Sequence, residues 1–144
     1  MPLIRPIDET DLEDVLEMIH GLAVHHCDVA PVTVEDLRRD ALGPALWVQI
    51  LVAPAMGYAA LTPLAQMQFA VRGMDMHHLF VREVVRGQGV GRALIDASLA
   101  WAKSQGARYL NVGTHPDDTA AQDVYLAAGF EALDAAGPRF RMRW

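Results

Sequence analysis

His77-His78-Leu79-Phe80-Val81-Arg82-Glu83-Val84-Val85-Arg86-Gly87-Gln88-Gly89-Val90-Gly91-Arg92 reads as a strand, a short turn and the opening of a helix. Three glycines alternate through the turn, with an arginine on either side. Glycine has no side chain, so its backbone amide can approach a bulky anion closely. The helix behind it adds unpaired amides and the positive end of its dipole at the same place. Arg86 and Arg92 stand where they could add charge-assisted contacts to phosphate oxygens. A turn whose glycines serve only tight strand-to-helix packing has the same composition, and a glycine motif alone does not separate the two readings.

Two familiar phosphate motifs do not fit. The dinucleotide fingerprint requires G-x-G-x-x-G and an acid closing the next strand. Here the glycines are Gly87, Gly89 and Gly91, and the next candidate strand, Tyr109 to Thr114, ends without an acid. A nucleotide P-loop requires Lys-Ser or Lys-Thr after its last glycine; Arg92-Ala93 stands there instead.

The pattern resembles the acyl-CoA site of the GCN5-related N-acetyltransferases (GNAT). In that family a strand ending in hydrophobic-x-Val leads into Arg-Gly-x-Gly-hydrophobic-Gly, matched here by Leu79-Phe80-Val81 and Arg86-Gly87-Gln88-Gly89-Val90-Gly91. Downstream the family carries Asn-x-x-Ala, a Tyr and Gly-Phe; this chain has Asp118-x-x-Ala121, Tyr125 and Gly129-Phe130. The recognisable part covers roughly residues 44 to 131. The resemblance implies a single GNAT-like domain over residues 1–144, of α/β (α+β) class, with a mixed, mostly antiparallel sheet flanked by helices on both faces. It implies acetyl-CoA as co-substrate and no metal. The backbones of Leu79, Phe80 and Val81 would pair with the pantetheine arm like an added strand, and one amide would polarise the thioester carbonyl. Arg86 and the run Gly87, Gln88, Gly89, Val90, Gly91 and Arg92 would hold the pyrophosphate, with Asp118 and Ala121 further along the cofactor. Asp118 departs from the family's Asn. An ionised Asp cannot donate a hydrogen bond, so its alternative role is to cap the following helix.

The whole chain sets bounds on this reading. Its 144 residues are one domain's worth, and 52% are hydrophobic, enough for a core and against disorder. A formal net charge of -6 argues against a nucleic-acid-binding surface. Cys27 is the one cysteine, so there is no intrachain disulfide framework and no cysteine-rich zinc site. No apolar run is long enough to cross a bilayer and the first residues turn acidic early, so no membrane partner and a cytoplasmic location are expected.

Taken in order, Leu3 to Ile7 reads as a first strand, and Thr10-Asp11-Leu12-Glu13 as a capping box that starts a helix. Leu12, Val15, Leu16 and Ile19 form its apolar stripe. The helix is expected to fade from Gly21 into a polar loop, His25-His26-Cys27-Asp28. Those are metal-ligand residue types, but adjacent histidines on one segment rarely meet one ion unaided. Thr33-Val34-Glu35-Asp36 opens a second helix that stops at Gly43-Pro44. Trp47 to Val52 reads as a buried strand, and Tyr58 to Thr62 as a strand interrupted by Pro63. Met74 to Val81 is the central strand, Gly89 to Gln105 a helix and Tyr109 to Thr114 a strand. Thr119-x-x-Gln122 is a capping box for a helix to about Ala128, and Phe130 to Leu133 and Arg139 to Trp144 read as two last strands.

Acetyl transfer to an amine requires a neutral nucleophile, a donor for the oxyanion and a proton for the leaving thiolate. By resemblance, Tyr125 is the acid, since a phenol is protonated at neutral pH. The packing alternative places it in an amphipathic stripe with Ala121, Val124 and Ala128. The resembling family often has a Glu or His four residues before the valine that ends the central strand, which is His77 here. Histidine titrates near neutrality and suits the base, directly or through water, with His78 as the second choice. In a regular strand His77 shares a face with Asp75, Leu79 and Val81, and His78 points the other way, unless a bulge intervenes. Both histidines also have a plain structural reading. In the family the loop after the first helix lines the acceptor side, so His25, His26, Asp28 and His78 are substrate-contact candidates. The element order and the Thr33 region resemble the diamine and polyamine branch, yet only Asp28 is an acid in that loop. Aminoglycosides, amino acids and protein N-termini stay open as acceptors. A CoA-sensing module without turnover is the alternative to an enzyme, and the resemblance makes a homodimer plausible.

Overall fold

The hairpin between residues 57 and 81 carries the fold. In this computed structural model, which describes residues 2–134 and 137–144, two compact units are seen, one up to Gly113 and one from Thr114 onward.

In the first unit a five-stranded sheet runs in the order β1-β2-β3-β4-β5, with strands β1 (Arg5–Pro6), β2 (Gln49–Ala53), β3 (Gly57–Gln66), β4 (Val71–Val81) and β5 (Leu110–Val112). The first four are antiparallel neighbours, and β5 joins β4 in parallel. This is the mixed, mostly antiparallel sheet expected. Alternation sends its side chains to two cores. Ile50, Val52, Tyr58 and Ala60 pack with helices α1 (Leu12–His25) and α2 (Val34–Leu37). Ala53 and Ala59 pack on the opposite face with Val90 and Leu94 of helix α3 (Val90–Ser104). Each fully buried Leu, Val or Met contributes roughly 1.5–3 kcal/mol of burial, so the stripe Leu12, Val15, Met18 and Leu22 fixes α1 on the sheet.

Several boundaries differ from the sequence reading. The first capping box is set two residues earlier. Asp8 accepts from the amide of Thr10 at 2.9 Å, while Asp11 accepts from the amide of Asp8 at 2.8 Å over a 3-10 turn, Glu9–Asp11. Aspartate caps as well as threonine does, and Arg5 clamps Asp11 with bonds of 2.7 and 3.0 Å. The helix does not fade at Gly21 but runs through His25, because Gly21 is where the ring of Phe80 packs: an added Cβ would lie 3.2 Å from its Cζ. The Thr33–Asp36 box forms as read, and α2 widens into a π-helical turn, Arg38–Leu42, that ends at Gly43. Trp47 is not in a buried strand; it is 77% exposed and precedes β2. Pro63 does not interrupt β3, which continues to Gln66. The ladder to β2 stops at Leu61, so Pro63 lies on an open edge where a missing N–H costs no pair. β4 starts at Val71 rather than Met74, after a turn with Ala70 in the left-handed region, φ 53°.

The second unit is built on α4 (Thr119–Ala127). Its cap is Asp118, accepting from the amide of Ala121 at 3.1 Å, not Thr119. Gly129, φ 98°, lies just past its end. Phe130 to Leu133 and Arg139 to Trp144 form no strands. Alternation marks which face of a strand is apolar but supplies no edge to pair with, and a strand without a ladder leaves its backbone groups to water. Phe140, Met142 and Trp144 are accordingly exposed.

Candidate active site

β4 is paired on both sides only over part of its length. Its ladder to β5 covers Met74–Met76 and goes no further, whereas its ladder to β3 continues to Val81. Residues 77–81 therefore face a splay between the two parallel strands. Its last three residues, Leu79 to Val81, are those whose backbone the resemblance assigns to the pantetheine arm.

The splay begins at a β-bulge. Ala60 pairs with His78 and Leu61 with Met76, which leaves His77 as an extra residue without a partner in β3. A bulge breaks the alternation of side chains. Here it brings both histidine rings together, stacked at 4.4 Å with 16° between planes. His78 thus does not point away from His77, as a regular strand would have it. His77 is exposed, and His78 is half-buried with its Nδ1 2.9 Å from the hydroxyl of Tyr58. Burial, and then the charges of His77 and His26, push the His78 pKa down to about 4. His26 ends α1 and bears on this ring; His25, His26 and Asp28 are all exposed there. Among the described residues no group of three or more metal-ligating side chains is assembled, so the His25–Asp28 cluster stands as an exposed segment.

Leu79 and Val81 pack toward α3, while Phe80 packs toward α1 beside Tyr58. Arg82 then fastens the strand end. It bonds Glu17 at 2.9 Å, Asp14 at 3.1 Å and the carbonyl of Ala55 at 3.0 Å. The sequence reading missed this anchor and the Tyr58–His78 bond. The first had a signal, two acids one turn apart on α1; the second had none, because its partners are twenty residues apart.

A 3-10 turn, Glu83–Val85, leads into the glycine run. Gly87 and Gly89 have φ of 78° and 86°, a region costly for other residues, and nothing lies within 4 Å of a Cβ built on either. Gly89 is the N-cap of α3 and has no side chain to cap it, so the first amides of the helix, from Val90, Gly91 and Arg92, lack an intrahelical acceptor. Open space, left-handed glycines and free amides make a cradle suited to an anion. The pyrophosphate that the resemblance implies would meet this backbone more than the arginines. Arg86 gives its Nε to the carbonyl of Val81 at 2.9 Å and lies 5.8 Å from the centre of the Phe80 ring. Arg92 pairs with Asp96 at 3.0 Å. Gln88 is exposed between the glycines.

In the second unit Tyr125 is half-buried and meets Phe130 edge-to-face at 5.7 Å. Burial first, and Asp118 second, raise its pKa, which keeps the phenol protonated. Ala121 lends its amide to Asp118.

A model of the Acetyltransferase (GNAT) family matches residues 18–130. The chain is 31% identical over 140 residues to the aminoglycoside N(6')-acetyltransferase type 1 of Klebsiella aerogenes, covering 90% of this chain and 89% of that one. It is 27% identical to the thialysine N-epsilon-acetyltransferase of Bos taurus, covering 93% and 86%. Among solved structures, aminoglycoside N-acetyltransferase AAC(6')-Iy in complex with CoA shares the fold, with a TM-score of 0.78, 22% identity and coverage of 99% and 95%. The chain belongs to the acetyltransferase (GNAT) family. It is an acyl-CoA-dependent N-acetyltransferase.

Proposed function

We propose that the protein moves an acetyl group from acetyl-CoA to a primary amine of a small molecule, by direct transfer. The observation that carries this is the splay of β4 from β5 beyond Met76, which leaves residues 77–81 open beside the Gly87–Gly89 cradle. The thioester arm pairs with the freed backbone of Leu79 to Val81, and the pyrophosphate sits on the amides from Gly87 to Arg92. The amine nitrogen attacks the thioester carbonyl carbon, and an amide of the strand stabilises the oxyanion. His77, exposed at the bulge, takes the proton lost by the amine. The carbon–sulfur bond breaks, and Tyr125 protonates the departing thiolate. The names of the relatives support amino sugars and amino-acid-like amines as acceptors. His25, His26, Asp28 and His78 line the acceptor side in this reading.

The test is release of CoA thiol from acetyl-CoA across a panel of amino sugars, amino acids, polyamines and short peptides. Rapid release with one class supports the reading and names the acceptor. Tight CoA binding with no release from any class would replace it with a CoA-binding module.

A further inference from the structure

Tyr58 has no exposed surface, and its hydroxyl lies 2.9 Å from Nδ1 of His78. Burial keeps the phenol protonated far above the ordinary range. The hydroxyl therefore always carries a proton that needs an acceptor. Among the described residues, Nδ1 of His78 is the one partner it has. A buried hydroxyl that donated to nothing would cost roughly 1–3 kcal/mol, so Tyr58 donates and Nδ1 accepts. A neutral imidazole holds one N–H, and with Nδ1 accepting, that hydrogen is on Nε2. Adding a second proton at Nδ1 would break the bond to Tyr58. The charged groups that bear on the ring, His77 in β4 and His26 at the end of α1, would only add like charge, and no carboxylate is among them. Nε2 has no protein partner among the described residues, yet no buried side-chain nitrogen or oxygen there is left unpartnered, so Nε2 reaches solvent.

We propose that Tyr58 is a positioning residue that holds His78 as a neutral Nε2–H donor, and that this donor recognises an oxygen of the acceptor molecule near its reacting amine. The inference rests on the reading that the cleft takes a small amine, and it narrows the class. A fixed N–H is complementary to a hydroxyl, ring or carbonyl oxygen, as in amino sugars and amino acids. A plain alkyl polyamine has no oxygen, and its protonated nitrogens bring only donors to meet a donor. Its one neutral nitrogen must keep its lone pair for attack. The pair thus selects by what surrounds the amine rather than by the charge of the acceptor, while His77, stacked alongside, is left for the proton.

Long-range nitrogen–proton NMR of the full chain at pH 7 reads the tautomer directly. The expected spectrum has His78 protonated at Nε2 and bare at Nδ1, with both tautomers mixed in Tyr58→Phe. A cationic ring or an Nδ1–H ring in the unmodified protein overturns the proposal. Kinetics give an independent reading with glucosamine and putrescine as acceptors. His78→Leu should lower kcat/KM for glucosamine, mainly through KM, by about tenfold more than for putrescine. His78→Gln, whose amide N–H can stand in for Nε2–H, should recover most of the loss. An unchanged glucosamine-to-putrescine ratio in His78→Leu overturns the assignment, and the histidine variants decide it even if Tyr58→Phe does not fold. Should the unmodified protein acetylate no amine at all, the proposed function fails by itself. A shift of His78 Nε2 on titration with glucosamine but not putrescine then still supports this inference, and no shift with either refutes it.

Discussion

The ring of Tyr109 lies against the backbone of Gly73, so close that a Cβ added there would stand 2.2 Å from Cζ. The contact sits where the amide of Met74 donates to the carbonyl of Tyr109 at 3.0 Å, immediately before β5 joins β4. It therefore marks where the two strands begin to pair, at the end of the ladder opposite the splay beyond Met76. Gly73→Ala should destabilise the protein by about 1–3 kcal/mol, the usual cost of overpacking. Urea unfolding checks this, and Tyr109→Leu in the same chain should recover part of the loss, since the two residues share one contact.

Gly89→Val places a branched side chain at φ 86° and fills the open space before α3. The left-handed backbone alone should cost about 1–2 kcal/mol. Acetyl-CoA affinity, measured by calorimetry below the melting temperature, should fall at least about tenfold as the anion loses its amides. Normal affinity in this variant would put the pyrophosphate elsewhere.

Tyr125→Phe removes the hydroxyl proposed as acid and keeps the edge contact with Phe130. General acid catalysis is worth roughly a hundredfold or more, so kcat should drop by at least about tenfold while acetyl-CoA affinity holds. An unchanged kcat removes Tyr125 from the chemistry.

His77→Ala takes away the exposed ring at the bulge without touching the Tyr58–His78 bond. The acidic limb of the kcat/KM profile should flatten, because that limb reports the free enzyme's base. A limb of unaltered shape would assign the proton to water.

Stability should also carry a signature of His78. Its folded pKa, about 4, lies below the ordinary value of a histidine. Between about pH 6.5 and 4 the unfolded chain takes up a proton that the folded ring refuses. The stabilisation is complete above that window and declines as pH falls through it. His78→Gln should flatten the urea midpoint against pH across this range. Asp8, Glu9, Asp36 and Asp40 have pKa values lowered, in order, by the Thr10 hydroxyl, Arg38, the Thr33 amide and Arg39. Their contribution is present above their unfolded values, about 4, and is lost further into acid, so a decline confined to that range would count against His78.

The run from His77 to Arg92 was readable because glycine spacing and hydrophobic pattern report local backbone needs: Gly87 and Gly89 are left-handed, and α3 begins at Val90. The Thr33 cap and the α1 stripe were legible for the same reason. What was hidden depends on pairing. Pro63 looked like a stop because nothing local says that the ladder from β3 to β2 stops at Leu61. Arg139 to Trp144 looked like a strand because alternation carries no information about an available edge. The two histidines looked opposed because parity holds only where the ladder is regular, and the bulge is decided by β3. The sequence reading takes Tyr58 only as the start of a strand, and only the folded chain sets its hydroxyl against His78.

The bulge has one more consequence. Counting along both strands, the ladder on either side of His77 is already in step: Leu61 with Met76 below, Ala60 with His78 above. A chain shortened by that single position would close into an uninterrupted ladder, with Met74 and Met76 still in the interior they now occupy. His77 is supernumerary to the architecture. Its removal offers a clean separation of two demands on one sequence, a protein that folds as before and has lost the kink on which its chemistry is proposed to depend.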